Sequence, residues 1–432
     1  MEKLIKKIKR GGLAKNIVLV ASGTFVAQVI NTIITPLITR LYPAKIYGVL
    51  SVYNSTVSIL VIASSLAFQK SIPIIKDDHK AKMMVENCIG VLTAYSTIVL
   101  ALCLLLSKDI YGLLGIADIY KYRLIIPLGV FVVGGYEVLL QWIYRRQAYE
   151  VIPKTRMMQA IAGGAVKLVG GLLYPSAFAL LAGAIVNQSA GLSSFIKLIH
   201  MDLKDDKERD SVKEHFKILN RYNKFFIYSL PADFISTFSA QIPVLVLSSL
   251  YGSAISGYYG LAYSIVNLPI SLIIVSISRV LYAECAKIGK QNPCELKRLC
   301  LKISKTIIAI IIIPTIICII WGPQLFSFVF GEEWSVSGEF ARIMMGMIAS
   351  YCVVLPVGRL YEILEKQNYD FAINLIRIIA ILMAIIVLYN TNSNYYVAVG
   401  LISSINMVAY ICMFIGVFIC INKQMVFVER KK

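Results

Sequence analysis

Residues 303–321 read ISKTIIAIIIIPTIICIIW, a stretch long and apolar enough to cross a membrane as one helix. A helix rises about 1.5 Å per residue, so roughly 20 apolar residues span a hydrocarbon core of about 30 Å. Stretches of similar length recur at Ile17–Ile38, Tyr47–Phe68 and Tyr395–Ile421. A helix in a soluble core rarely runs so far with so few charges. The pattern therefore predicts a protein that crosses the membrane many times.

Composition supports an all-α integral membrane protein. Apolar residues make up 58% of the 432 residues, against about 45–50% in soluble domains. The mean hydropathy is +0.73. The formal net charge of +19 would suggest nucleic-acid binding in a soluble protein. No polar segment here interleaves basic and aromatic residues, so no nucleic-acid partner is expected.

Twelve apolar stretches predict twelve transmembrane helices. They lie near residues 17–39, 46–69, 84–106, 122–144, 156–174, 176–199, 225–250, 255–282, 303–321, 341–361, 370–389 and 395–421. The longest polar connection follows the sixth stretch. We therefore predict an N-terminal six-helix lobe over 1–199, a cytoplasmic linker over 200–224 and a C-terminal six-helix lobe over 225–432.

The distribution of positive charge predicts the orientation. If the N-terminus is cytoplasmic, 35 of the 43 Lys and Arg residues fall in cytoplasmic segments and six fall outside. The remaining two, Lys167 and Arg377, lie inside predicted spans. Because cytoplasmic loops are enriched in Lys and Arg, both termini are predicted to be cytoplasmic.

A parallel internal repeat is predicted from the spacing of short motifs. Leu41-Tyr42 precede Gly48 by the same interval at which Leu250-Tyr251 precede Gly257. Six spans in each half place the start of both halves on the same side of the membrane.

No motif for covalent chemistry is found, so the protein is not expected to be an enzyme. GxxxxGK[ST], HExxH and GxSxG are absent. None of the nine cysteines forms a CxxC pair, and no metal site is expected. The predicted outer loops are too short for the large external loop typical of membrane glycan polymerases, which disfavours that class.

Polar residues inside predicted spans are the candidates for function, because an ionisable group at mid-bilayer costs about 2.5–3.5 kcal/mol or more. Two alternatives stay open. Glu137 and Lys167 could form a structural ion pair, while Arg279 and Arg377 could extend to the cytoplasmic surface. Uncharged amides often join helices rather than bind ligands. The candidates are Glu137, Lys167, Asp233, Arg279, Arg377, Gln28, Asn31 and Gln241.

The excess of Lys and Arg over Asp and Glu favours an anionic substrate, because Arg and Lys bind phosphate through charge-assisted hydrogen bonds. Lys167 and Arg279 are the main candidates, Arg377 is the third, and Arg40 is placed at the outer side. A cation-drug exporter would instead need a buried carboxylate, and Glu137 and Asp233 keep that alternative open.

Three stretches of the chain resemble a known family. Their order resembles that in the Wzx-type repeat-unit flippases of O-antigen and capsule synthesis, within the multidrug/oligosaccharidyl-lipid/polysaccharide exporter superfamily. The stretches are residues 23–28 (GTFVAQ) with 36–42 (PLITRLY), 257–263 (GYYGLAY) with 277–282 (ISRVLY), and 330–334 (FGEEW). The likeness covers essentially the whole chain.

The resemblance implies two six-helix lobes around a cavity that opens alternately to each side. It implies a bacterial cytoplasmic (inner) membrane location and an undecaprenyl-diphosphate-linked oligosaccharide as cargo. The polymerase of the same pathway is a candidate partner, together with membrane lipids. No cofactor is expected, and proton or sodium coupling stays open. The alternative is an ion-coupled multidrug exporter of the same superfamily.

Overall fold

The computed structural model describes residues 2–196, 211–268 and 273–429. Side chains are described in these ranges from residue 22 onward, except at positions 276, 279, 283 and 429. All regular secondary structure in these ranges is helical. Contacts divide the chain into two compact units, Met1–Leu245 and Val246–Lys432.

Nine helices with described bounds begin in the first unit, the ninth of which continues into the second, and residues 192–196 are helical as well. The turns Phe68–Ile74 and Ala117–Tyr122 are 3-10 helical, and Phe225–Ser229 is a π-helical turn. The Asp77 carboxylate accepts hydrogen bonds from the backbone N–H groups of His79 and Lys80 and so begins α3. The helices are α1 (Glu2–Leu41), α2 (Ala44–Val61), α3 (Asp78–Leu105), α4 (Lys108–Leu113), α5 (Ile125–Arg146), α6 (Val151–Leu173), α7 (Ala177–Ser189), α8 (Val212–Arg221) and α9 (Leu230–Tyr251).

The second unit begins within α9. Proline at the first position of α12 suits a helix start, because its missing N–H would have no helical partner there. Gly331 ends α12 with φ 111°, a backbone conformation that glycine adopts without strain. The helices that follow α9 are α10 (Ser253–Val266), α11 (Val275–Ile288), α12 (Pro293–Phe330), α13 (Ser335–Gly358), α14 (Leu360–Ile363), α15 (Gln367–Thr391) and α16 (Tyr395–Glu429).

The predicted all-α membrane class is confirmed. Ten helical segments of the described chain are long and apolar enough to cross a membrane. Two of the twelve predicted spans are not among them. The span at 156–174 corresponds to α6, where Arg156 and Lys167 reduce the apolar character. The span at 255–282 corresponds to α10 and α11, and residues 269–272 between them lie outside the described ranges. The number twelve therefore stays a prediction.

The predicted linker 200–224 is partly helical. Its residues up to 210 lie outside the described ranges, and α8 follows, beginning with a capping box between Ser211 and Glu214. Ile218 is buried in the core of the first unit, and His215 Nδ1 lies 2.8 Å from Asn87 Oδ1 on α3. The lobe boundaries at 199 and 225 and the internal repeat stay predictions.

Small residues allow α6 to pack closely against α1 and α7. A Cβ atom on Gly164 would lie 2.4 Å from Ile34 Cδ1, and one on Gly163 would lie 2.3 Å from Asn187 Cβ. Real Cβ atoms do not approach other atoms so closely. Position 163 requires glycine because the contact includes the Asn187 backbone, whereas at position 164 the terminal methyl group of Ile34 would have to move. Close backbone approach of this kind is a common way for membrane helices to associate.

We expect Gly163→Ala to lower the melting temperature of the purified protein. Alanine stabilises a helix by about 1 kcal/mol relative to glycine, but overpacking costs about 1–3 kcal/mol. Because Asn187 contacts the site with its backbone as well as its Cβ, the overpacking term should dominate. Gly90→Ala on α3 is the matched control, since no atom lies within 4 Å of its new Cβ. Equal melting temperatures for the two variants would contradict the proposed close contact.

Candidate functional site

Four charged side chains of the first unit lie together, and we call them the charged cluster. They are Lys70 in the 3-10 turn after α2, Glu137 on α5, Arg156 near the start of α6 and Asp233 in the first turn of α9. Lys70 Nζ lies 2.5 Å from Asp233 Oδ2. Glu137 is half-buried and interacts electrostatically with Asp233, Lys70 and Arg156.

Tyr136 positions the Arg156 side chain within this cluster. The Arg156 guanidinium lies 4.9 Å from the centroid of the Tyr136 ring. Tyr136 itself is buried and stacks on Phe195, and both rings belong to one hydrophobic core of the first unit. A cation held on an aromatic face keeps its charge while its position is restricted.

Lys70 reaches the charged cluster because α2 ends early. The sequence predicts a span to residue 69, whereas α2 ends at Val61. Leu66 and Ala67 then adopt left-handed backbone angles, with φ of 51° and 61°. Ser65 donates a hydrogen bond to Gln69 Oε1 at 2.6 Å. This turn brings Lys70 beside Asp233.

Sequence reasoning missed Lys70 and Arg156, because both were counted as cytoplasmic loop charges. A signal was present for Lys70. Ser64 and Ser65 interrupt the apolar pattern near the end of the second predicted span. Consecutive hydroxyl side chains favour turns over helix interiors, and they mark where α2 stops.

Lys167 lies elsewhere on α6, eleven residues or about three turns from Arg156. Its aliphatic stem packs on α7, where a Cβ on Gly183 would lie 2.3 Å from Lys167 Cγ. Its carbonyl oxygen accepts a hydrogen bond from the Tyr42 hydroxyl at 2.7 Å. The described residues contain no Glu137–Lys167 ion pair, because the charged neighbours of Glu137 are those of the charged cluster.

The other predicted residues of the first unit are dispersed. Gln28 and Asn31 are half-buried on α1, and Arg40 is exposed in its last turn. Gln241 Oε1 accepts a hydrogen bond from the Ser55 hydroxyl at 2.9 Å, which joins α9 to α2. That contact supports the role of an interhelical link for Gln241.

In the second unit, Arg377 is buried on α15 and only 7% of it is exposed. Its guanidinium lies 5.5 Å from the Tyr410 ring centroid and interacts electrostatically with the Tyr410 side chain. Tyr351 packs on Tyr410 at 5.0 Å, and the Arg377 Nε has no acceptor among the described residues. Arg377 therefore contacts the protein interior rather than extending to the membrane surface.

Arg279, the other candidate of the second unit, lies on α11. Its side chain is outside the described part of the structure. Its role stays a prediction.

A largely apolar cavity of about 320 Å³ lies between α12, α13 and α16. Tyr410, the partner of Arg377, contributes to its wall. Thr315 and Ser350 add two hydroxyl groups. The remaining wall consists mainly of Ile308, Ile311, Ile312, Val353, Ile411 and Phe414.

These arrangements suit binding and release more than covalent chemistry. The four charges of the charged cluster sum to zero, so an entering anion must compete with carboxylates that already contact the cations. Among the described residues no group of three or more His, Cys, Asp or Glu side chains is placed to hold a metal ion. Arg377 is a second, separate cation against aromatic rings.

Solved transporter structures share this fold. An inward-facing multidrug resistance MATE family transporter of the MOP superfamily has a TM-score of 0.75 and 13% identity. That match covers 94% of this chain and 99% of the transporter. Lipid II flippase MurJ in an inward closed conformation has a TM-score of 0.72 and 14% identity, covering 95% of this chain and 90% of MurJ. At such identities the likeness shows the fold. It confirms the predicted all-α fold of the multidrug/oligosaccharidyl-lipid/polysaccharide (MOP) exporter type, to which MATE transporters belong.

Sequence comparison indicates the family. The lipopolysaccharide biosynthesis protein WzxC of Escherichia coli (strain K12) is 26% identical over 162 residues, which are 37% of this chain. The aligned stretch spans about a third of that relative, 32% of its length. The sequence profile of the family described as polysaccharide biosynthesis protein matches residues 37–339, more than half of the chain. The chain therefore belongs to the polysaccharide biosynthesis protein family.

Proposed function

We propose that this protein moves an undecaprenyl-diphosphate-linked oligosaccharide from the cytoplasmic to the outer leaflet of a bacterial inner membrane. O-antigen or capsule synthesis would use the product. The observation that carries the proposal is the presence of clustered or buried cationic side chains in each unit: Lys70 with half-buried Arg156 in the first, and buried Arg377 in the second. They occur in a MOP-type fold, in a chain of the polysaccharide biosynthesis protein family. The orientation with both termini in the cytoplasm is part of the proposal.

The charged cluster is proposed to receive the diphosphate headgroup. A diphosphate brings about two negative charges into a region where unpaired charge is expensive. Lys70 and Arg156 can offset these charges, but the ion pair between Lys70 and Asp233 must first break. That competition weakens net binding and so favours release on the other side. Transport needs such differential affinity between states, since uniformly tight binding would trap the carrier.

Glu137 and Asp233 provide a route to ion coupling. When the headgroup binds Lys70, the carboxylates of Glu137 and Asp233 lose a nearby compensating positive charge. Proton uptake by one or both of them would offset part or all of the negative charge that the headgroup brings. Lys167, Arg279 and Arg377 are proposed as further headgroup contacts, with Arg40 at the outer side. The apolar cavity beside Tyr410 suits part of an isoprenoid tail.

A second candidate function is ion-coupled export of cationic drugs. The fold of the MATE transporter and the carboxylates of the charged cluster favour it. The two candidates differ in the sign of the cargo. Buried Arg377 favours an anion, because a cationic drug would be repelled by it.

Deletion of the gene tests the proposed function. We expect the deletion strain to lose surface polysaccharide and to accumulate lipid-linked repeat units, which extraction and mild-acid release would reveal. Plasmid-borne expression of the same gene should restore the polymer. Normal polymer combined with increased sensitivity to cationic dyes would instead support drug export.

A further inference from the structure

Six aromatic side chains of the second unit pack together where α9 ends and α10, α13 and α16 begin. We call this group the tyrosine platform. Tyr395 is central, with ring centroids 6.2 Å from Tyr251, 6.0 Å from Phe340 and 4.6 Å from Tyr396. The Tyr258 ring lies edge-on to Trp334 at 5.7 Å. Tyr258 also interacts electrostatically with Tyr395, which connects the two parts.

The platform has a buried floor and an accessible upper layer. Trp334 and Phe340 are buried, with 1% and 0% exposure. Tyr251, Tyr258, Tyr395 and Tyr396 are half-buried, so their rings combine a fixed position with an accessible edge or face. Tyr251 is held further by a 2.8 Å hydrogen bond from its hydroxyl to the Ser393 carbonyl.

Carboxylates border the aromatic rings. Tyr258 interacts electrostatically with the exposed Glu333, and Tyr396 interacts in the same way with Glu339. Glu332 is exposed beside Glu333, while Arg342 pairs with Glu339 at 3.2 Å. This end of the unit thus carries three carboxylates and one guanidinium, and it is acidic.

The opposite end of the second unit is strongly basic, so the charge pattern assigns the platform to the outer side. Most Lys and Arg residues of the unit lie at the ends of α11, α12, α13 and α16 that are remote from the platform. They are Lys287, Lys290, Lys297, Arg298, Lys302, Lys305, Arg359, Lys366 and Lys423.

We infer that the tyrosine platform binds the glycan portion of the cargo at the outer face and selects neutral over acidic sugars. Sugar rings carry apolar C–H faces that stack on aromatic rings, and their hydroxyl groups donate to carboxylates. A fixed patch of amphipathic rings bordered by acceptors offers both contacts. The carboxylates of Glu332, Glu333 and Glu339 repel a negatively charged sugar or phosphate. The inference rests on the proposed function for its cargo.

An interfacial aromatic belt would look different. Belt residues lie singly around the perimeter with their rings in the lipid headgroups. Tyr389, near the end of α15, fits that description, because it is 71% exposed and forms none of the ring pairs of the platform. The platform tyrosines instead pack on one another and on a buried floor, which makes Tyr389 a matched control.

Tryptophan fluorescence of the purified full-length protein tests the inference, because Trp334 lies under Tyr258. We expect the neutral probes maltotriose and triacetylchitotriose to cause a saturable emission change that disappears in Trp334→Phe. The acidic probe trigalacturonate should cause no such change at equal concentration. Tyr395→Ala should weaken neutral binding by on the order of tenfold, whereas Tyr395→Phe and Tyr389→Ala should retain it.

A surface variant keeps the test independent of folding. Glu333→Gln removes a charge from an exposed side chain, and we expect it to allow binding of trigalacturonate. The inference is overturned if no neutral probe changes the Trp334 signal. It is also overturned if trigalacturonate binds the wild type equally well, or if Tyr389→Ala loses as much binding of the neutral probes as Tyr395→Ala.

The binding of soluble sugars is measured without transport, so it can be compared with the result of gene deletion. If deletion removes the polymer but the protein binds no sugar, glycan binding by the tyrosine platform is rejected and the proposed function is not. Sugar binding with normal polymer on deletion would reject the proposed function alone.

Discussion

We expect Lys70→Met combined with Asp233→Leu to abolish polysaccharide export while the protein remains folded and inserted. The two side chains are 39% and 40% exposed, so their ion pair contributes under about 1 kcal/mol to stability. Replacing both partners leaves no unpaired charge. Loss of a cation that contacts the headgroup costs about 2 kcal/mol or more, which corresponds to a loss of roughly 30-fold or more.

Surface polymer measured against the amount of protein in the membrane checks this result. The matched control is Lys287→Met with Glu284→Leu, an exposed ion pair of the second unit whose loss should leave export unchanged. Single variants separate the roles of the charges. If Lys70→Met alone abolishes export and the added Asp233→Leu restores it, the pair is structural and the charged cluster does not recognise the headgroup.

We also expect Arg377→Ala to abolish export and Arg377→Lys to retain a minor part of it. Lysine keeps the positive charge, but it lacks the planar guanidinium that packs on Tyr410. It also cannot donate two parallel hydrogen bonds to one phosphate, as a guanidinium can. Because Arg377 is buried, its truncation leaves a cavity and removes a charge that interacts with Asp370. We therefore expect a lower melting temperature for Arg377→Ala than for Arg377→Lys.

Arg359→Lys is the matched control for this position. The Arg359 guanidinium also lies near a tyrosine, 5.7 Å from the Tyr282 ring, but Arg359 is exposed. Export should be normal in that variant. Normal export by Arg377→Ala at normal expression would show that the second unit uses no cation at this position.

Arg377 illustrates how far sequence reasoning reached. Its position in an apolar stretch identified it as a candidate, because charge is rare there. Extension to the membrane surface and burial in the protein remained equally open. Packing of α15 against α16 decided between them by placing Tyr410 beside the guanidinium. The length of a side chain and its distance from a helix end cannot reveal that neighbour.

In the charged cluster, by contrast, sequence reasoning identified the carboxylates but missed the cations. Glu137 and Asp233 were candidates from the sequence, but their cationic neighbours were assigned to loops. Lys70 and Asp233 are 163 residues apart in the chain. Their contact depends on the turn at Leu66 and Ala67. Ser64 and Ser65 indicate that α2 ends there, but the local sequence does not show that the turn places Lys70 beside Asp233.

By itself the sequence determined the membrane class, the predicted orientation and the family resemblance. The bilayer has a fixed thickness and cytoplasmic loops favour Lys and Arg, so length, hydropathy and charge suffice for the first two. Only the tertiary structure decided which charges meet and which tyrosines form one surface. Those contacts join elements remote in the chain, and they depend on helix ends and packing that a periodic apolar pattern leaves open.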